Sequence, residues 1–434
     1  MSHVRQGGAL LFVESNTSGT GRLFVHAARE LGFAPVLVTA TPAKYAYLQH
    51  PGAPEVIVAP TDDEDALHRL IADRFDGGAG VAGITSSSEY FIARAAGLAA
   101  RFGLAGPHAA SVAAARDKSH QRRVLAGGGV PTPGFRVAAS APEAIWAARE
   151  IGTPVVVKPV GGSGSVGVRA CATSVEVGRH AATLLSQAAA AGADRRVLVE
   201  QLLTGPEFSV EVFSGRVIGI TRKHLGSPPF FVESGHDYPA VVPADVARAL
   251  TETVTRSTGL LGLGWGPLHW ELRVQDGLAY PIEVNPRLAG GFIPELVRHA
   301  QGIDLIRETV RLVVGEEPAV EPLRHRHASI RFLFAPAAGR LRAVEGLDEA
   351  RAAEAVADVT LYRVVGETLA IHGDFRDRIG HVVACADGFD AACAAAEHAR
   401  DVVRVVMEPL VAPREVVQVA GARISAARMP EGAA

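Results

Sequence analysis

The chain has 434 residues, 48% hydrophobic and 21% charged, and its 43 basic and 46 acidic residues leave a formal net charge of −3. This is globular composition, and the near-balance of charge lacks the broad electrostatic footprint of a protein that binds nucleic acid or anionic lipid. Three cysteines, Cys171, Cys385 and Cys393, with no C-x-x-C pair, argue against a disulfide framework or a cysteine zinc site.

The first third alternates in type. Leu10–Val13, Pro35–Thr39, Val56–Ala59 and Val81–Thr85 read as strands, and Gly21–Leu31 and Asp65–Arg74 as helices. Such alternation predicts a parallel sheet with helices on its faces, in a unit ending near Ala115. No basic leader precedes the first strand and no apolar run approaches the roughly 18–20 residues of a membrane span, so the expected location is the cytoplasm. A second unit starts at Arg116-Asp117-Lys118, with a helix stopped by Gly127-Gly128-Gly129 and prolines beyond. Ser140 and Glu143 fit a capping box opening a helix to Glu150. Pro154–Lys158, Arg196–Gln201 and Ser209–Phe213 read as strands. Pro267–Arg273 and Ala279–Asn285 read as an antiparallel pair turning at Asp276-Gly277, a strong hairpin signal. Gly315–Pro322 looks like a linker. Strands at Ala328–Phe334, Thr360–Val365 and His381–Ala386 and a helix over Phe389–Val406 would form a smaller α+β unit, and from Pro413 onward no period is visible. The expected division is 1–115, 116–316, 323–412 and a tail, 413–434.

The second unit carries the chemistry. Lys158 ends a strand just before Gly161-Gly162-Ser163-Gly164-Ser165-Val166-Gly167. Glycines let backbone N–H groups approach phosphate oxygens, and a lysine adds a point charge. Gly162, Gly164 and Gly167 also satisfy G-x-G-x-x-G, but that fingerprint needs a helix at the loop and an acidic residue about 20 positions on. Here Val168–Cys171 continues as strand, so the reading is a hairpin loop over a triphosphate, with a plain tight turn as the alternative for the loop alone. Glu271 and Glu283 alternate with apolar residues on the paired strands, so pairing brings both carboxylates and Asn285 to one face. Hard oxygen donors of this kind hold Mg²⁺ against nucleotide phosphates. Arg287 follows, where a guanidinium stabilises charge on a transferring group. Solvent-facing strand acids with a surface arginine are the alternative. Glu200-Gln201-Leu202-Leu203 and Glu207 join two strands through a bend that could offer backbone groups to an adenine edge and a carboxylate to ribose hydroxyls.

In order from Arg116 to Gly315, these features resemble the ATP-grasp superfamily. The resemblance implies phosphate contacts for Lys118 and Lys158 and a flexible loop at Gly161–Gly167. It implies an adenine–ribose hinge from Glu200 to Glu207 and two magnesium ions, replaceable by manganese, on Glu271, Glu283 and Asn285. Arg287 would stand at an acyl-phosphate. Within the superfamily the chain looks most like the L-amino acid ligases. Phe231–Pro239 resembles their substrate segment, with Glu233 for an amino group and His236 for a carboxylate. Gly290-Gly291 stands where some relatives carry a bulky residue, which implies a larger acyl donor, and Asp377–Val382 resembles a signature of their C-terminal domain. The implied fold is an ATP-grasp core with an N-terminal parallel α/β domain and a small C-terminal α+β domain. The implied reaction joins a small carboxylic acid to an amine through an acyl-phosphate, releasing ADP and phosphate, with no nucleic-acid or membrane partner and with a homodimer as the assembly. A dipeptide or a natural-product precursor is the expected product. A carboxylase working through carboxyphosphate and a non-catalytic nucleotide-binding regulator are the alternatives. Asn16–Gly21 and Ser86–Glu89 are expected to be a scaffold turn and a strand-to-helix cap.

Overall fold

A computed structural model describes residues 7–17 and 19–409; the expected tail, 413–434, lies outside them. Near the N-terminus, strands Ala9–Val13, Ala34–Thr39, Glu55–Val58 and Val81–Thr85 form a parallel sheet in the order third, second, first, fourth. Ala9–Val13 is buried at every position, the pattern of a parallel strand covered on both faces. The strand order reverses between Ala9–Val13 and Val81–Thr85. Their carboxyl ends lead into residues 14–17 and 86–89, at the kind of crevice where open α/β sheets hold ligands.

A small antiparallel sheet follows, in the order Phe135–Ala138, Val197–Gln201, Val155–Pro159, Arg169–Cys171. Helices Ala141–Ile151 and Ser174–Ala190 pack against it. Ser140 caps the first helix by accepting from the Glu143 amide, and Glu143 accepts in return from the Ser140 hydroxyl and from the Ala139 amide, one residue before the one a capping box would use.

Eight antiparallel strands make the large sheet. In spatial order they are Leu278–Asn285, Pro267–Gln275, Glu207–Phe213, Arg216–Leu225, Glu233–Tyr238, His327–Phe334, Arg378–Ala386 and Val356–Leu361. Helices Lys118–Gly127 and Ala244–Leu261 cover one face over the fully buried Trp270. Helices Ile293–Gln301 and Leu305–Val313 share a single core with both the large sheet and the parallel sheet. Glu233–Tyr238 pairs directly with His327–Phe334, so the large sheet runs across the expected linker.

Two expected elements differ. The strand expected at Thr360–Val365 is Val356–Leu361. The helix expected to reach Val406 ends at Val402, and Arg404–Glu408 is a strand paired with Gly339–Glu345. Val402, Val403, Val405 and Val406 make a β-branched run that suits a pleated surface better than a helix.

The small lobe hands the chain to the large sheet through residues 202–206. There the Val274 amide donates to the Pro206 carbonyl at 3.0 Å and the Thr204 amide to Gln275 Oε1 at 3.0 Å. A Cβ added at Gly205 would lie 1.8 Å from the Val274 carbonyl oxygen, so only glycine permits this approach. Gly205→Ala is therefore expected to lower the thermal midpoint and weaken ATP binding together, measured by scanning calorimetry and nucleotide titration. An unchanged midpoint would contradict the close packing of the hinge.

Candidate active site

One cavity of about 1180 Å³ lies between the small lobe, the large sheet and the N-terminal crevice. It exceeds the roughly 300–1,000 Å³ of an ordinary ligand pocket, so it has room for a nucleotide and substrates together. Of the residues singled out from the sequence, all line it except Gly167. Gly167 packs against Leu184 and Pro159, and its carbonyl lies 2.9 Å from His180 Nε2.

The strand register sets the acidic face. Glu271 stands directly opposite Glu283, and His269 opposite Asn285, while Trp270 between them points into the core. Period-two alternation therefore gathers two carboxylates and an amide on the cavity side. Each carboxylate already holds a cation. Lys118 Nζ is 3.2 Å from Glu283 Oε1 and donates to the Gly162 carbonyl at 2.8 Å, tying the glycine loop to the acidic face. Lys223 Nζ is 2.5 Å from Glu271, 2.7 Å from Glu233 and 3.2 Å from Glu207. Burial works against the Lys223 charge, but the three carboxylates overcome it and raise its pKa well above the usual lysine value.

Lys158 sits deeper. Its Nζ is 2.6 Å from Glu200 Oε2, and Arg122 Nε is 2.6 Å from Glu200 Oε1. Arg122 also donates to the Ile282 carbonyl at 2.5 Å, so this charge cluster joins both lobes. Burial pushes the Lys158 ammonium below its ordinary pKa against the pull of Glu200. Burial opposes the Glu200 charge as well, yet Arg122 and Lys158 keep its pKa below the usual range. At the hinge, Arg273 holds Glu207 at 3.0 Å and donates to the Leu203 and Gly205 carbonyls.

Two residues beyond Asn285, Arg287 bonds Glu89 through Nε, at 2.8 Å, and through Nη2, while Nη1 donates to the Leu288 carbonyl at 2.9 Å. Glu89 also faces Arg116 at 3.5 Å and accepts from the Ser163 hydroxyl of the glycine loop. The segment expected to be a simple cap thus brings an N-terminal carboxylate to the arginine. His236 lies on a strand, fully enclosed, and among the described residues neither ring nitrogen has a hydrogen-bond partner. A Cβ at Gly291, where φ is +60°, would come within 2.5 Å of His236 Nε2; one at Gly290 would meet open space. Both Glu233 oxygens face cations, Oε1 meeting Lys223 and Oε2 meeting Arg378 at 2.7 Å.

Sequence reasoning missed Lys223, Arg122, Glu89 and Arg378. Lys223 shares the Arg216–Leu225 strand with polar and apolar neighbours in no particular pattern. Only the sheet order, which places it beside Glu207 and Glu233, reveals its role. The donor set fits magnesium: Glu271, Glu283 and Asn285 are hard oxygen ligands on one face, and the cations now resting on the two carboxylates mark where positive charge is wanted.

Residues 151–295 match the ATP-grasp domain family, and residues 331–408 match the family of L-amino acid ligase C-terminal domain 2. The chain is 39% identical over 381 residues to the uncharacterized protein y4rH of Sinorhizobium fredii, spanning 87% of this chain and 78% of that one. It is 28% identical to a D-alanine–D-alanine ligase of Pseudomonas putida over 48% of this chain and 66% of the relative. A crystal structure of an L-amino acid ligase from Bacillus licheniformis superposes with a TM-score of 0.78 at 21% identity, over 93% of this chain and 99% of that one. The chain belongs to the ATP-grasp superfamily. Within it, the glycine loop, the paired acidic strands and the C-terminal unit together follow the pattern of the L-amino acid ligases. Among the described residues, no helix is long and apolar enough to cross a membrane.

The enclosed His236 gives a pH signature. Burial drives its pKa from the ordinary 6.5 down to about 3, although Glu233 pulls the other way. Between those values the unfolded chain takes up a proton that the native state refuses, so stability falls as pH drops below 6.5. The loss is at most about 1.4 kcal/mol per pH unit. Thermal midpoints measured from pH 7 to pH 4.5 are expected to fall less steeply in His236→Gln than in the parent chain. Parallel curves would contradict a neutral, unsolvated imidazole.

Proposed function

We propose that this protein is an ATP-dependent carboxylate–amine ligase. It would join an amino acid or related carboxylic acid to an amine or second amino acid through an acyl-phosphate, with release of ADP and phosphate. The reading rests above all on Glu271 facing Glu283 in the same cavity as Lys118, Lys158, the glycine loop and Arg287. In it, the described residues of 1–115 supply one wall, 116–316 form the ATP-grasp core, and the described residues of 323–412 close the substrate end.

Lys118 and Lys158 hold nucleotide phosphates, and Gln201, Leu202 and Leu203 offer backbone groups to the adenine beside the Glu207 carboxylate. Magnesium on Glu271, Glu283 and Asn285 would neutralise charge on the phosphate oxygens. A substrate carboxylate oxygen attacks the γ-phosphorus, the bond to the β-phosphate oxygen breaks, and ADP leaves. Ser163, Gly164 and Ser165 cover the labile mixed anhydride and keep water from it. The amine then attacks the acyl carbon, Arg287 balances the oxyanion, and the C–O bond to phosphate breaks; the departing phosphate carries off the amine's proton and the amide remains. For Arg287 to do this, its link to Glu89 must loosen, and a substrate ammonium is the natural replacement partner for that carboxylate. The open space at Gly290 supports an acyl donor larger than alanine.

The test is phosphate release from ATP and Mg²⁺ over a matrix of paired amino acids, with mass spectrometry of the products. The expected result is phosphate only with particular pairs, together with a mass equal to their sum minus water. Lys158→Met should abolish both signals. Phosphate release with bicarbonate alone, or with no second substrate, would overturn the ligase reading.

A further inference from the structure

Of the arginines that the C-terminal unit sends to the cavity, Arg378 is the one set against Glu233. Arg378 opens the strand Arg378–Ala386, and its side chain is 10% exposed while lining the main cavity. Nη2 donates to the Glu233 carbonyl at 3.0 Å and to Glu233 Oε2 at 2.7 Å. The guanidinium carbon lies 3.6 Å from the centre of the Phe332 ring, so stacking and hydrogen bonding together fix its plane.

That arrangement leaves donors over. Nε is enclosed with no partner, and Nη1 makes no hydrogen bond among the described residues. Glu233 has no further capacity for charge, because its other oxygen belongs to Lys223. Of the neighbouring arginines that line the cavity, Arg363 is held by Glu367 and Arg376 by Asp374, so neither of those acids is free for Arg378. A nine-tenths-buried guanidinium with unmet donors is costly by itself and is completed by a ligand that accepts hydrogen bonds. Nη2 gives both its hydrogens to Glu233, so the donor left for a ligand is Nη1, and its charge-assisted N–H suits a carboxylate oxygen.

We propose that Arg378 holds a spectator carboxylate, one that is not phosphorylated, so that the two substrates together carry a second carboxylate. This rests on the ligase reading: the reacting carboxylate belongs at the phosphate end with Lys118 and Lys158 and is consumed there. The carboxylate at Arg378 stays intact throughout, as the acceptor's own carboxylate or as a second acid group on the donor.

The probes are the proteinogenic amino acids, their carboxamides, and donors with and without a side-chain acid. With the parent chain and an active pair, replacing the spectator carboxylate by a carboxamide should lower kcat/KM roughly 10- to 100-fold, mainly through KM. In Arg378→Met that preference should collapse. Loss of preference on the acceptor arm or on the donor arm names which substrate carries the group. Arg378→Lys keeps a charge beside Glu233 and so guards against misfolding; it should retain part of the preference. A second readout needs no turnover: in the presence of MgADP, the acid form and not the carboxamide should raise the thermal midpoint of the parent chain, and neither should raise that of Arg378→Met. An undiminished carboxylate preference in the Met variant would overturn the proposal. Failure of every pair to release phosphate would instead count against the ligase reading, while the thermal comparison still decides for or against Arg378.

Discussion

Buried charge is the constraint on which the site depends. Lys118, Lys158, Lys223 and Arg122 are withdrawn from water, and so are Glu200, Glu271, Glu283 and Glu233 to differing degrees. Taking such groups out of solvent costs several kcal/mol each unless each is matched, and even matched pairs seldom add stability. The chain keeps them matched by assigning every lysine to a carboxylate that has other work to do. Lys118 rests on Glu283, Lys223 on Glu271, and Lys158 on Glu200. Phosphates would compete for the lysines and metal for the acids, so these internal pairs are the ones that nucleotide binding would exchange.

The three parts of the chain meet in that network. Glu89 comes from the crevice of the parallel sheet and grips Arg287 of the core. Lys118 links the helix that opens the core to the glycine loop of the small lobe. Arg378 comes from the last unit, yet lies in the same antiparallel sheet as Glu233 and Glu271, because His327–Phe334 adds directly to the edge of the core's strands. A separate domain packed loosely on the core could not fix a guanidinium over Phe332 within hydrogen-bond distance of Glu233. Continuous sheet pairing does so at no cost in flexibility.

The sequence was most informative where the signal is local. The Asp276-Gly277 turn, strict alternation around Trp270 and the run of glycines after Lys158 each depend on a few adjacent residues, and the register that sets Glu271 opposite Glu283 follows from them. Long-range neighbours left no such trace. Nothing near Lys223 announces three carboxylates, since Glu207, Glu233 and Glu271 arrive from three other strands. Glu89 looked like a cap because its partner Arg287 is 198 positions away. No strand is read at Glu233-Ser234-Gly235-His236, where serine and glycine are turn-forming types, but pairing with strands on both sides makes it one. The misplaced end of the last helix was a local misreading: its valine run already favoured a strand.

The claim at the centre of this account is that a carboxylate oxygen is activated by phosphoryl transfer. It is tested most directly by supplying the active acid with its carboxylate labelled by ¹⁸O and weighing the phosphate released. Transfer of one labelled oxygen into phosphate, with ADP as the other product, is the expected result. Unlabelled phosphate alongside an amide product, or label appearing in AMP, would contradict it.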